Sequence, residues 1–151
     1  YGVMQSYLQN IRPYVGVTAL RALEDGLIAP ALIDVGVKPL GQIAQESKSL
    51  IARARSGHLR AEEYASGTFT VTNLGGYGVE MLIGIINSGQ SAILGVGTVI
   101  EAPSVVDGAL AVRQLMKIAL SADHRVSDGA EGARFIKEIQ TILENPDSLA
   151  L

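Results

Sequence analysis

The sequence predicts an α/β domain of two layers (α+β): a mixed, largely antiparallel sheet covered by helices. Three observations carry that prediction. Two segments repeat apolar residues at helical spacing, and several runs rich in β-branched residues end in glycine turns. The length of 151 residues also fits one domain, with a core large enough to fold without disulfides or metal.

Val15 to Leu20 reads as a strand, Glu24-Asp25-Gly26 as a turn, and Leu27 to Val35 as a second strand interrupted at Pro30. From Pro39 the pattern is helical, because Leu40, Ile43, Ala44, Ser47, Leu50, Ile51 and Ala54 recur on one face. Pro39 suits the first helical position. Arg53 and Arg55 suit the negative end of the helix dipole, and Gly57 suits the stop. His58 to Ser66 reads as a loop, with His58 a solvated residue in it.

Gly67 to Thr72 has the β-branched and aromatic character of a strand, and Asn73 to Gly78 is a glycine-rich turn. Ala92 to Ile100 is a further strand. Its Gly95 and Gly97 predict close approach of another backbone or a ligand. Asp107-Gly108 is a hairpin signal. Leu110 to about Ser121 then alternates, so one face should be buried and the other mixed. A last helix carries Phe135, Ile136, Ile139, Ile142 and Leu143 on one face and ends before Asn145-Pro146.

Hydrophobic residues make up 48% and charged residues 18%, which is a globular composition. Mean hydropathy is +0.28 although aromatics are few. Either the core is unusually aliphatic or apolar surface is covered by other subunits. The net charge of −3 is spread along the chain, which gives no basic stripe for nucleic acid and no polybasic patch for a membrane. No apolar run reaches the ~18 residues of a membrane span. The first residues lack the pattern of a signal peptide and do not begin with Met, so the chain reads as a fragment. The absence of cysteine removes disulfides and an internal thiol nucleophile and is compatible with a reducing compartment.

The chemistry concentrates in Asp123-His124-Arg125-Val126-Ser127-Asp128-Gly129, between a strand and a helix start. Histidine titrates near neutral pH, so His124 is the first candidate for moving a proton, although a histidine at a strand end is more often structural. Asp128-Gly129-Ala130-Glu131 also fits a capping box, and a capping role and a role in the site are compatible. A metal site is disfavoured by two distant histidines and no cysteine. No G-x-S-x-G elbow, dinucleotide fingerprint or phosphate loop occurs. Strand alternation alone makes Thr72 an ordinary exposed threonine.

Asp123 to Gly129 resembles the D-H-R-x-x-D-G signature of the acyltransferase (E2) catalytic domain of 2-oxo acid dehydrogenase complexes. Three further blocks resemble that family in order and spacing: Leu23 to Pro30, Gly67 to Gly75 and Gln90 to Gly97. The resemblance covers roughly Val15 to Leu151. Chloramphenicol acetyltransferase shares the fold and a related motif, but the other blocks resemble the E2 domain.

The resemblance implies an acyltransferase that moves an acyl group, acetyl by preference, between the dihydrolipoamide of a lipoyl domain and coenzyme A. Both are substrates, and no metal is implied. His124 would be the base for the thiol and Thr72 the hydroxyl donor to the oxyanion. Asp128 would organise the site, with Arg125, Asn73 and Gly129 structural there. Free thiols have pKa near 8.5 and attack as thiolates, so a histidine base is suited to them.

The resemblance further implies a homotrimer with its site between subunits, and trimers assembled into a large core through apolar C-terminal residues, here Leu149 and Leu151. It implies E1 and E3 partners held by other domains, and a location in the cytoplasm or mitochondrial matrix, cytoplasm preferred. Residues 1–151 would be the catalytic domain without its N-terminal segment. Ser88-Gly89 departs from the family's usual Pro-Pro, a loop difference. Two other readings stay open: a non-catalytic E2-like scaffold subunit, and a small acetyltransferase acting on a hydroxyl as a discrete trimer.

Overall fold

The computed structural model describes residues 17–23 and 26–145. Its sheet holds six strands: β1 (Val17–Leu23), β2 (Gly26–Ile28), β3 (Ala31–Leu32), β4 (Phe69–Asn73), β5 (Ala92–Val106) and β6 (Ala109–Ala122). The order is β2-β1-β4-β5-β6, with β3 also on β1. The two pairings around β4 are parallel, and those of β1 with β2 and β3 and of β5 with β6 are antiparallel. The predicted mixed sheet is therefore found, with parallel strands at its centre. Parallel neighbours need a crossover, and the helical segment 40–65 supplies the one between β1 and β4.

Helix α1 (Leu40–Arg55) starts one residue later than the periodicity predicts, because Pro39 is extended (ψ 152°) and caps the helix from outside. Only its second half is buried, through Leu50 and Ala54; Leu40 is 60% exposed. The segment read as a loop holds a short helix, α2 (Ala61–Ala65), too brief to display a period. His58 is exposed in the connection before it, as expected.

Glu63 of α2 explains why that turn is helical. It is 2% exposed, and Arg53 forks onto it with Nη1 and Nη2 at 2.5 and 2.7 Å. Arg60 adds its own amide at 2.8 Å and its guanidinium at 2.9 Å. Arg53, read from sequence as a partner of the helix dipole, thus serves a carboxylate that pins α2 to α1. The Arg53 guanidinium, followed by the Arg60 donors, holds the Glu63 carboxyl down from 4.5 to about 2.

A depressed folded pKa stabilises the fold above the unfolded value and ceases to do so as pH falls through the folded one. The stability advantage of the native chain over Glu63→Gln, read as a difference in melting temperature, is therefore expected to be full above about pH 4.5 and to vanish toward pH 2. An advantage unchanged across that window would contradict the assignment.

Helix α3 (Gly129–Glu144) packs one face of the sheet: Phe69 meets Phe135 edge-on with ring centroids 5.9 Å apart, and Gly132 lies over Leu120. The extended stretch from Val79 to Asn87 covers the opposite face. A Cβ on Gly95 would lie 2.4 Å from the Leu82 carbonyl oxygen, and one on Gly97 1.9 Å from that of Glu80. Those two glycines do mark a close backbone approach, and only glycine permits it. Ser121 donates to the Gly84 carbonyl at 2.8 Å, and Thr98 N–H to the Val79 carbonyl at 2.8 Å.

The hairpin turn falls at Asp107 and Gly108, both with positive φ (51° and 81°). β5 and β6 outrun the rest of the sheet, since β4 pairs only as far as Val96 and the ribbon continues from Val99 to the turn. The expected buried face of β6 is absent there: Leu110 is 83% and Val112 72% exposed. Among the described residues no third strand or helix covers either face of this two-stranded ribbon, and its apolar residues stay exposed.

Candidate active site

β6 ends at Ala122, level with the first residue of β5, and the next peptide is tied to the neighbouring strand by Asp123 N–H donating to the Ser91 carbonyl at 2.9 Å. The Asp123 carbonyl then accepts from Val126 N–H (2.9 Å) and Ser127 N–H (3.1 Å), which closes a tight turn around His124 and Arg125. Arg125 folds back onto Asp123. Its Nη2 lies 2.6 Å from Oδ2, its Nε 3.0 Å from Oδ1, and its amide donates to Oδ1 at 2.9 Å. The carboxylate partner of Arg125 is therefore Asp123. The Arg125 guanidinium and then its amide hold the Asp123 carboxyl at about 2, so it stays charged at neutral pH. Because Arg125 is 89% exposed, this pair orders the turn more than it stabilises the fold.

His124 stands exposed at the tip of that turn, with no side-chain hydrogen bond to a described residue. Asp128 follows as the N-cap of α3, its Oδ1 accepting Glu131 N–H at 2.8 Å. The cap half of the predicted capping box therefore forms. That bond, first among its causes, lowers the Asp128 pKa. An ionised capping carboxylate fixes the helix start and carries no proton at neutral pH. Gly129 is the first residue of α3. Among the described residues no three histidines, aspartates or glutamates are grouped so that they could hold a metal. Among them too, no helix is long and apolar enough to cross a membrane.

Thr72 lies on β4 and is 7% exposed, so it is not the exposed strand threonine that alternation predicts. With Thr70 it faces the side of the sheet that the stretch 79–87 covers. Its hydroxyl makes no hydrogen bond with another described residue. Asn73, next along, accepts from Gly75 N–H at 2.8 Å and so shapes the glycine turn after β4. Gly75 is forced by the Gly97 carbonyl, 2.7 Å from where a Cβ would sit.

The structure does not bring Thr72 and His124 together within one chain. Phe69, Ala92 and Ala122 share one level of the sheet, whereas Thr72 pairs with Gly95 and is two strands from β6. At ~3.3 Å per residue and ~4.8 Å per strand, Thr72 is roughly 14 Å from Ala122 between Cα atoms. His124 lies past that end of β6. Leu149 and Leu151 fall outside the described residues, as do Glu24-Asp25 and the chain before Val17. Sequence reading passed over the stretch 79–87; its one signal was the glycine pair on β5 that it crosses.

Residues 10–151 match the family model of the 2-oxoacid dehydrogenases acyltransferase catalytic domain. One relative, the dihydrolipoyllysine-residue acetyltransferase component 4 of the chloroplastic pyruvate dehydrogenase complex of Arabidopsis thaliana, is 42% identical over 97% of this chain and 30% of its own length. Another, a succinyltransferase component of the 2-oxoglutarate dehydrogenase complex of Rickettsia typhi, is 38% identical over 91% of this chain and 35% of its own. The chain thus spans about a third of the curated relatives it matches. The solved dihydrolipoamide acetyltransferase of Azotobacter vinelandii superposes with a TM-score of 0.84 at 30% identity, over 99% of this chain and 68% of that one. In that enzyme a serine, a histidine and an asparagine have been examined for their role in the catalytic mechanism. The cubic core of a pyruvate dehydrogenase multienzyme complex matches with the same score, identity and coverage.

Proposed function

The chain belongs to the acyltransferase catalytic-domain family of the 2-oxoacid dehydrogenases, and from that premise we propose that it transfers an acyl group, acetyl by preference, between coenzyme A and the dihydrolipoamide of a lipoyl domain. One observation carries the reading. Thr72, His124 and Asp128 follow one another at separations of 52 and 4 residues, those of the serine, histidine and asparagine studied in the Azotobacter vinelandii enzyme. Two of the three differ in residue type. Threonine keeps the hydroxyl donor of serine, and aspartate keeps an oxygen able to cap the helix.

The chemistry rests on those positions. The free nitrogen of His124 takes the proton from a dihydrolipoamide thiol, and the thiolate attacks the thioester carbonyl of acetyl-coenzyme A. Thr72 donates its hydroxyl to the oxyanion of the tetrahedral intermediate. Collapse breaks the bond to the coenzyme A sulfur, and His124 returns its proton to that thiolate. Asp128 and the Asp123–Arg125 pair hold the turn that presents His124. All thiol chemistry resides on the substrates, in keeping with a chain without cysteine.

Because Thr72 and His124 of one chain are too far apart, the working site combines His124 of one subunit with Thr72 of the next, in a homotrimer. The exposed ribbon residues Leu110, Val112 and Val105 support such an assembly, since a chain that worked alone would leave them in water. Trimers then join into a larger core, with Leu149 and Leu151 among the contacts, and E1 and E3 bind through other domains. The cysteine-free chain suits a reducing cytoplasm.

The test supplies acetyl-coenzyme A or succinyl-coenzyme A with dihydrolipoamide and measures acyl-dihydrolipoamide. Acetyl transfer well above succinyl transfer is expected. A large particle that transfers neither would replace this reading with a non-catalytic scaffold.

A further inference from the structure

Thr70 has a place in the fold that strand alternation does not explain. It is 0% exposed, on the face of β4 that the stretch 79–87 covers, and its hydroxyl is used twice. It donates to Gln90 Oε1 and accepts from Asn87 Nδ2 at 2.9 Å. Asn87 and Gln90 are the two ends of one tight turn, closed by Gln90 N–H donating to the Asn87 carbonyl at 3.0 Å, with Gly89 at φ 81° inside it. A single buried hydroxyl thus ties both ends of the turn to the centre of the sheet.

Ser91 comes directly after the turn, and its carbonyl is the acceptor that holds Asp123 N–H at 2.9 Å. Ser91 is otherwise tethered weakly. Its N–H reaches the Thr68 carbonyl at 3.4 Å and its hydroxyl reaches the same oxygen at 3.5 Å, both at the long limit of a hydrogen bond. The position of the Ser91 carbonyl is therefore set mainly by the turn before it and by Ala92, which enters the sheet. From Thr70 the connection runs through Asn87 and Gln90 to Ser91, then to Asp123 and His124.

We propose that Thr70 is a positioning residue for His124: its hydroxyl fixes the Asn87–Gln90 turn, and through the Ser91 carbonyl it sets where the His124 turn stands. The proposal rests on the acyl-transfer reading for its catalytic consequence, but the positioning itself can be read without any activity. Threonine is required for its hydroxyl, since a side chain of the same shape without one removes both the bond from the Asn87 amide and the bond to the Gln90 carbonyl oxygen at once. A displaced base costs rate, because proton transfer needs the donor within hydrogen-bond reach.

The experiment compares Thr70→Val, Thr70→Ser and Gln90→Met with the native chain by residue-resolved hydrogen exchange and by steady-state transfer kinetics. In Thr70→Val the Asp123 amide is expected to exchange about tenfold faster, the equivalent of one lost hydrogen bond, while the Leu50 amide in α1 keeps its protection. The kcat falls by about tenfold with KM for acetyl-coenzyme A unchanged, and Thr70→Ser restores both. Gln90→Met shows the same pattern and serves if Thr70→Val does not fold. The proposal is overturned if Asp123 exchange is unchanged, if Leu50 exchange rises equally, or if Thr70→Ser is as impaired as Thr70→Val. A native chain without transfer activity would remove the acyl-transfer reading, and the exchange data would still decide the positioning.

Discussion

His124→Ala is expected to lower kcat for acetyl transfer by about 10²–10⁴, the usual contribution of a positioned acid–base group. The native fold should survive the change, because His124 is exposed and its side chain bonds to no described residue. KM for acetyl-coenzyme A should move little, since the proton is transferred in the transition state and not on binding. Steady-state kinetics alongside a melting curve check both halves of this expectation. Full activity in the variant would remove His124 as the base. A collapsed melting curve would recast it as structural, the reading that a strand-end histidine invites when its sequence neighbours are ignored.

Thr72→Val is expected to cost about 10²–10³ in kcat, the loss typical of one oxyanion donor, and Thr72→Ser to retain most of the rate. Valine keeps the shape of a side chain that is 7% exposed, so packing on β4 is preserved while the hydroxyl is removed. The serine variant keeps the hydroxyl and loses a methyl, which costs on the order of 1 kcal/mol of stability. The two variants therefore separate hydrogen bonding from packing: rate should follow the hydroxyl and melting temperature the methyl. Equal rates in all three proteins would mean that Thr72 is a core residue only.

Much of the architecture was legible because its signals were local. Helical spacing located α1 and α3, the Asp107-Gly108 pair located the hairpin, and the cap at Asp128 followed from residue type. The features that stayed hidden depended on partners far along the chain. Glu63 makes a short helix because Arg53 meets it across a connection, which no periodicity records. Thr72 is buried because the stretch 79–87 crosses the sheet there, and that stretch has no secondary-structure pattern of its own. β6 alternates like a strand with one buried face, yet its first half lies in a ribbon that no other described element covers, since alternation does not say whether a partner for that face exists. The candidate site was legible as residues and not as geometry. The family resemblance named Thr72 and His124 and implied a site between subunits, and the strand register shows how far apart the two stand within one chain.

Subunit mixing decides whether that separation is bridged between chains. His124→Ala and Thr72→Val chains, each close to inactive alone, are co-expressed in equal amounts and assembled together. If each site takes His124 from one subunit and Thr72 from the next, about a quarter of the sites in random trimers receive both intact residues, and about a quarter of native activity should return. If both residues came from the same chain, no mixed particle would hold an intact site. Activity that stays at the sum of the two single variants, in particles shown to contain both chains, would contradict the shared site.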